Sequence, residues 1–170
     1  MSDPTSAFPS EPEVTFRLAT RDDVPDIVRM LADDPLGAQR ETYGPSLPQS
    51  YYAAFEIIDG DVNNELVVGC LAGRVTAVLQ LTFIPYLTHR GSWRALIEGV
   101  RIDSSARSRG IGRQLILWAV ERARQRDCRI VQLTSDKTRA DAIRFYESLG
   151  FVASHEGFKL HLASSPDAEP

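Results

Sequence analysis

The sequence is poor in the residues that build metal centres and disulfide scaffolds, with two cysteines and three histidines in 170 residues. Cys70 and Cys128 stand in apolar, strand-like or helix-end surroundings, which suits two small hydrophobes in a reducing compartment better than a disulfide. His89, His155 and His161 are scattered along the chain, so no metal-type cluster forms and no metal is expected. No apolar run approaches the ~20 residues that a membrane span needs. The start, Met1-Ser-Asp-Pro-Thr-Ser-Ala-Phe-Pro-Ser10, has neither a basic n-region nor an apolar h-region, which argues against a secretory signal. A cytoplasmic protein with no membrane partner is expected. Positive charge is short as well. The formal net charge of −4 disfavours a surface that coats nucleic acid. The basic residues gather between Arg101 and Arg129, and a local excess in an acidic chain points to a small anionic ligand.

What is present is ordinary for a globular chain: 43% hydrophobic and 25% charged residues, at a length that suits one domain with a real core. Residues 1–13 and 164–170 are rich in proline, serine and acid. They are expected to be disordered tails around a domain spanning residues 14–163.

Val14–Leu18 alternates at period two and reads as a strand. A helix follows Thr20, capped by Asp22 or Asp23 and ended by Asp34-Pro35. Leu36–Pro48 is a loop and Gln49–Ile58 a short helix. Strands over Glu65–Ala72 and Val75–Ile84 flank a Gly73-Arg74 turn, which predicts a hairpin. Arg94–Ile102 is a further strand. From Gly110 the apolar spacing becomes helical, with Ile111, Leu115, Ile116, Ala119, Val120 and Ala123 on one face. Arg129–Leu133 is a strand. Ala142, Phe145, Tyr146 and Leu149 mark a last helix stopped by Gly150. Phe151–Ser154 and Phe158–Leu162 are expected as short closing strands. This order defines an α/β fold around a mixed sheet.

The segment Val100-Arg-Ile-Asp-Ser-Ser-Ala-Arg-Ser-Arg-Gly-Ile-Gly112 runs from a strand through a turn into an amphipathic helix. Glycines at 110 and 112 allow a ligand to approach the main chain closely. Unpaired N–H groups in the first helical turn favour an anion. Arg107 and Arg109 add charge suited to diphosphate oxygens. Two glycines in an arginine-rich loop also describe a plain turn. The dinucleotide fingerprint is excluded because its third glycine would fall at Leu115, and a P-loop is excluded because no Gly-Lys-Ser/Thr follows.

Arg107-x-x-Gly110-x-Gly112, after a strand ending Val-x-Ile-Asp, resembles the coenzyme A signature of the GNAT acetyltransferase superfamily. Ala142-Ile-Arg-Phe-Tyr146-Glu-Ser-Leu-Gly-Phe151 is similar to its second mark, A-x-x-x-Y-x-x-x-GF. The resemblance runs in element order from Val14 to about Leu162 and implies a mostly antiparallel, twisted sheet of about six to seven strands flanked by about four helices.

It also implies an acyl-CoA-dependent N-acyltransferase that moves an acetyl group from acetyl-CoA to a primary amine within a ternary complex. The diphosphate would lie on main-chain amides of Arg109, Gly110, Ile111, Gly112 and Arg113, with Arg107 at the family's leading Gln/Arg position. Main-chain groups of Val100 and Ile102 would pair with the pantetheine arm. Both residues also read as core. Tyr146 matches the tyrosine that protonates the departing thiolate, although its place on the apolar stripe equally suits a core aromatic. Glu98 is the base candidate, with a strand glutamate that is solvated or salt-bridged to Arg101 as the alternative. Where many members carry an asparagine, this chain has Arg139, to which the role of the asparagine is not carried over; Arg139 or Lys137 would contact a coenzyme phosphate.

The stretch from Arg139 to Ala142, with Ser154-His155 after Gly150-Phe151, is similar to the aminoalkylphosphonate N-acetyltransferases and would aim His155 at the acceptor, with a surface histidine in a turn as the alternative. Tyr51, Tyr52 and Phe83 would line the acceptor pocket, with Arg40, Arg90 and Lys159 as cations for an acidic group on a small amine. A protein lysine or N-terminus is the alternative acceptor. A non-catalytic acyl-CoA sensor is the alternative class, and acylation of charged tRNA is disfavoured by the acidic charge. Homodimers occur in the superfamily, but no stretch here argues for one.

Overall fold

The protein is described by a computed structural model covering residues 14–33, 37–160 and 162. The expected tails, the Asp34-Pro35 helix stop and His161 lie outside these residues. The chain divides into two compact units, the first ending at Leu133 and the second starting at Thr134.

The first unit holds one five-stranded sheet in the order β1-β2-β3-β4-β5. Its strands are β1 (Val14–Leu18), β2 (Asn64–Leu71), β3 (Arg74–Pro85), β4 (Trp93–Ile102) and β5 (Cys128–Leu133). The first three pairings are antiparallel and β4–β5 is parallel, so the sheet is mixed and mostly antiparallel. The β2–β3 turn is tight, with Ala72 and Gly73 both at positive φ and Leu71 paired with Arg74. Such a two-residue turn matches the twist of the strands that it joins.

Helices α1 (Val24–Ala32) and α2 (Gln49–Asp59) cover one face of this sheet. Val24, Ile27, Val28, Met30 and Phe55 of these helices cluster with Val68, Cys70, Val75 and Val78. Strand alternation sends Phe16, Gly69 and Ala77 to the other face. A Cβ on Gly69 would meet Ala77 and Phe16 there, each at 3.0 Å. The Phe16 ring meets Trp118 of α4 (Ile111–Gln125), centroids 6.0 Å apart, so α4 covers this second face. Leu115, Ile116, Ala119 and Ala123 of α4 are fully buried. Arg122 on α4 holds Glu65 of β2 through contacts of 2.6–3.0 Å, pairing a carboxylate that is only 7% exposed.

At the start of α1, Asp23 turns its carboxylate back to the Thr20 amide (2.7 Å) and takes a two-pronged grip from Arg17 at 2.6 and 2.9 Å. A turn of helix at Thr88–Gly91, here α3, makes five α-helices among the described residues where about four were expected. His89 and Arg90 hold left-handed backbone inside it, which non-glycine residues adopt rarely and which period-based reading does not anticipate.

The second unit holds α5 (Ala140–Ser148). The expected closing strands are absent: residues 151–160 and 162 carry no strand, which corrects the count of six to seven strands to five. Phe158, Leu160 and Leu162 keep the period-two pattern but stand 94%, 86% and 85% exposed. Alternation is a property of one segment, whereas a strand also needs a ladder partner to satisfy its main chain.

Candidate active site

The β4–β5 ladder ends at the pair Ile97–Leu133, whereas β4 continues to Ile102. From Glu98 onward, the edge of β4 that faced β5 has no β5 residue to pair with among the described residues. On its other edge, β4 stays paired with β3 through a bulge. Gln80 faces Glu98 and Val78 faces Arg101, so Gly99 and Val100 together oppose Leu79. Gly99 sits at φ 61, the left-handed conformation that such a bulge demands and glycine accepts without strain. The open edge and the bulge coincide, and both adjoin the candidate base.

Glu98 is exposed, and no ion pair or side-chain hydrogen bond reaches it among the described residues. No ion pair joins Glu98 to Arg101, whose guanidinium donates to the Val100 carbonyl at 2.8 Å. Pairing with Gln80, two residues along β3 from Val78, puts Glu98 on the sheet face covered by α1 and α2. Tyr51 and Tyr52 pack against the core of that same face. The Tyr51 hydroxyl accepts from the Thr42 amide at 2.9 Å and donates to Glu41 at 3.0 Å, and burial raises its pKa. Arg21 lies over the Tyr52 ring at 4.4 Å. Phe83 does not join them. Its ring is 1% exposed beneath the Arg126 guanidinium, and it serves the core.

Beyond Ile102 the chain turns through Asp103, whose carboxylate is buried. It accepts from Arg29 on α1 (2.7 Å), from the Ser105 amide (3.0 Å) and from the Ser105 hydroxyl (2.5 Å). The Ser105 hydroxyl, with the Arg29 guanidinium, outweighs burial and holds the Asp103 pKa at about 2, below the ordinary 3.8. Arg107 donates to the Ile102 carbonyl at 3.2 Å and to both the carbonyl and carboxylate of Asp33, each at 3.3 Å. The loop is therefore tied to α1 twice, once in each direction, and Arg107 spends its donors on that tie.

The Asp103 pairing has a measurable consequence. A carboxyl group whose pKa is lower in the folded state stabilises that state above its unfolded pKa, and the contribution disappears as pH falls through the folded value. Stability should therefore drop as pH falls from about 4 towards 2. Asp103→Asn should flatten that slope and cost about 2 kcal/mol at pH 7, the scale of a hydrogen bond to a charged group. Chemical denaturation at several pH values measures both.

Ser108 and Gly110, at φ 60 and 76, fold the loop back into α4. Gly110 is the N-cap and offers no side chain to cap the helix. The first helical amide bond given by this turn is Gln114 N–H to the Gly110 carbonyl, 3.1 Å, which leaves Ile111, Gly112 and Arg113 ahead of the ladder. Arg109 and Arg113 flank them, exposed and without an ion pair among the described residues. The result is a short row of main-chain donors at the positive end of a 15-residue helix, with two guanidinium groups beside it.

In the second unit, Arg139 occupies the N-cap position of α5, and its carbonyl accepts from Ala142 and Ile143. Asp136 organises the preceding turn through the Thr138 hydroxyl and amide, which together hold its pKa below the usual carboxylate range. Tyr146 is half-buried on α5, with the Phe145 and Phe151 rings at 5.3 and 5.9 Å. The helix ends in a Schellman closure: Gly150 N–H reaches the Glu147 carbonyl at 2.9 Å and Phe151 N–H the Tyr146 carbonyl at 3.1 Å. Gly150 takes the required left-handed turn at φ 90. The spacing Tyr-x-x-x-Gly-Phe is thus a helix end that fixes the tyrosine by its own carbonyl and by a ring contact. His155 is exposed, its Nδ1 2.8 Å from the Ser154 hydroxyl.

An open strand edge that runs into an uncapped helix start is the arrangement that the two sequence marks imply, and the sequence model of the acetyltransferase (GNAT) family matches residues 29–151. The chain belongs to that family, whose members use acetyl-CoA as the acyl donor. Among curated proteins it is 30% identical, over 105 residues, to the aminoalkylphosphonate N-acetyltransferase of Salmonella typhimurium, a match spanning 62% of this chain and 66% of that protein. It is 34% identical over 90 residues to the glucosamine 6-phosphate N-acetyltransferase of Trypanosoma brucei brucei, spanning 53% of this chain and 59% of that one. The chain thus spans less than two thirds of the length of either relative. Among solved structures, a Bacillus halodurans C-125 protein described as a transcriptional regulator is 57% identical with a TM-score of 0.86, covering 88% of this chain and all of that one. No helix among the described residues is long and apolar enough to cross a membrane.

Proposed function

We propose that this protein is an N-acetyltransferase that moves the acetyl group of acetyl-CoA to the primary amine of a small molecule bearing an acidic group. The observation that carries this reading is the unpaired edge of β4 from Glu98 to Ile102, continuous with the uncapped start of α4. Main-chain groups of Val100 and Ile102 hold the pantetheine arm as an added strand would be held. Amides from Arg109 to Arg113 receive the diphosphate, and the free guanidinium groups of Arg109 and Arg113 add charge. Arg107 shapes this loop, and Arg139 serves a coenzyme phosphate.

An amine reaches the site mainly as ammonium and has to lose a proton before it can attack. The exposed, unpaired Glu98 accepts that proton, directly or through water. The nitrogen then bonds to the acetyl carbon as the carbon–sulfur bond breaks, Tyr146 gives the departing thiolate its proton, and the extra proton that the nitrogen sheds as the amide forms returns to the Tyr146 phenolate through solvent. Much of the acceleration comes from holding two reactants in one orientation. Both named curated relatives act on amines that carry a phosphorus acid group, which supports an anionic acceptor. Tyr51 and Tyr52 on the Glu98 face, with His155, are assigned to its pocket.

A second reading has its own support. The 57% identical relative is described as a regulator, which fits a protein that binds acyl-CoA without turning it over. Human N-alpha-acetyltransferase 30, 35% identical over 69 residues but matched across only 19% of its length, keeps a protein N-terminus as a further acceptor class. Thiol release from acetyl-CoA, measured with aminoalkylphosphonates, amino-sugar phosphates and peptides, separates the three. Release that depends on the small anionic amines supports the proposal. Release with peptides alone moves the acceptor to protein. Coenzyme binding without any amine-dependent release replaces catalysis with sensing.

A further inference from the structure

At the opposite end of β4 from the glycine loop, the α3–β4 junction and the α4–β5 connection form an open pocket of about 530 Å³. Arg90, Arg124 and Arg129 line it together with Ser92, Trp93 and Asp127. Arg124 is paired with Glu121 at 3.2 Å. Arg90 and Arg129 have no ion-pair partner among the described residues. Three arginines around one pocket are a concentration of basic residues in a chain whose formal charge is −4. Glu121 offsets Arg124, and Asp127 with the carbonyl end of α4, worth about half a negative charge, offsets most of what Arg90 and Arg129 add. The Ser92 hydroxyl oxygen is buried without a hydrogen-bond partner.

From these features we propose that this cavity is a second anion site, separate from the coenzyme loop, and that it takes a phosphate monoester carrying an apolar or aromatic group. A phosphate monoester bears about −1.5 to −2 charge near neutral pH and offers three acceptor oxygens. Its oxygens match the planar forks of Arg90 and Arg129, the two arginines of the lining that no carboxylate pairs among the described residues. A carboxylate has two oxygens, enough for one such fork, whereas the three of a phosphate can engage both. Trp93 supplies an aromatic wall for the esterified group.

The site is not part of the acetyl-transfer centre, and Arg90, expected among the cations of the acceptor, stands here instead. Trp93 opens β4 and Ile102 closes it, so the cavity and the glycine loop stand about 30 Å apart along the strand. Glu98 is about 17 Å from Trp93 on the same scale, too far for one small acceptor to bridge. A ligand here acts as a second, independent occupant.

The chain has two tryptophans, Trp93 and Trp118, so each gives one indole N–H signal in an ¹H–¹⁵N spectrum, assigned through Trp118→Phe. Titration with phenyl phosphate should move the Trp93 signal saturably and leave Trp118 nearly still. Inorganic phosphate should do the same at least threefold more weakly, and benzoate at least tenfold more weakly. The double variant Arg90→Gln/Arg129→Gln should weaken phenyl phosphate at least tenfold while coenzyme A affinity stays unchanged. A Trp93 signal that does not saturate, or a titration that survives the double substitution, would overturn the site. Equal binding of benzoate and phenyl phosphate would overturn the phosphate assignment.

Discussion

Tyr146→Phe should lower turnover at least tenfold and leave coenzyme affinity within about twofold. The substitution keeps the ring that touches Phe145 and Phe151, and the Schellman closure uses main-chain atoms only, so α5 keeps its end. What goes is one hydroxyl, and with it the proton for the thiolate. General acid catalysis typically contributes about 10²–10⁴-fold, and because a thiolate leaves readily, the lower part of that range is expected. The loss should fall on kcat and not on KM, since the proton is required only after both substrates are bound. Steady-state kinetics with a saturating amine, beside a direct coenzyme titration, checks it. An unchanged kcat would remove Tyr146 as the acid.

Gly110→Asp should weaken coenzyme A at least a hundredfold, about 2.8 kcal/mol at 1.4 kcal/mol per tenfold. The cause is not crowding, because a Cβ at position 110 would meet nothing within 4 Å. Two other effects act. The residue holds φ 76, where a side chain strains the left-handed backbone by about 1–2 kcal/mol. The new carboxylate also stands where the helix start would receive an anion, and it competes for the same N–H donors. Gly110→Asn separates the two effects, since asparagine tolerates left-handed backbone and carries no charge. It should retain more affinity than the aspartate variant. Calorimetric titration with coenzyme A measures the pair, and equal affinities for both variants would show that charge plays no part.

Most strands and helices were legible because each rests on a local period. The alternation of Val14–Leu18 and the helical spacing from Ile111 to Ala123 need no distant partner to be read. Tyr146-x-x-x-Gly150-Phe151 was legible for the same reason, since its meaning lies in the hydrogen bonds of one helix end. The failures are long-range or conformational. Phe158, Leu160 and Leu162 alternate without a ladder, and nothing in a single segment tells whether a partner strand is present. The left-handed residues His89 and Arg90 contradict their own preferences. Arg107, expected beside the diphosphate, also reaches Asp33, 74 residues earlier in the chain, a tie that no local pattern announces. Arg29 to Asp103 spans the same separation and carries no periodic signal. A pair of opposite charges far apart in sequence, each near a helix end or loop, is the only hint that such ties leave.

The bulge at Gly99 and Val100 also works as a change of phase. In an uninterrupted strand, Glu98, Val100 and Ile102 would all point the same way. With two residues set against Leu79, Arg101 inherits the side of the sheet that Glu98 faces, and Ile102 pairs with Ala77 on the other. The first half of β4 can therefore follow the demands of the interior, with Ala95 and Ile97 sealed inside. The second half is free to keep its own beat. Deleting one residue at this point would give an even ladder with Arg101 still against Val78 and Ile102 against Ala77, whereas keeping both residues and pressing the bulge flat would turn Arg101 and Ile102 over, so one extra amino acid decides which groups meet a visitor and which meet the core.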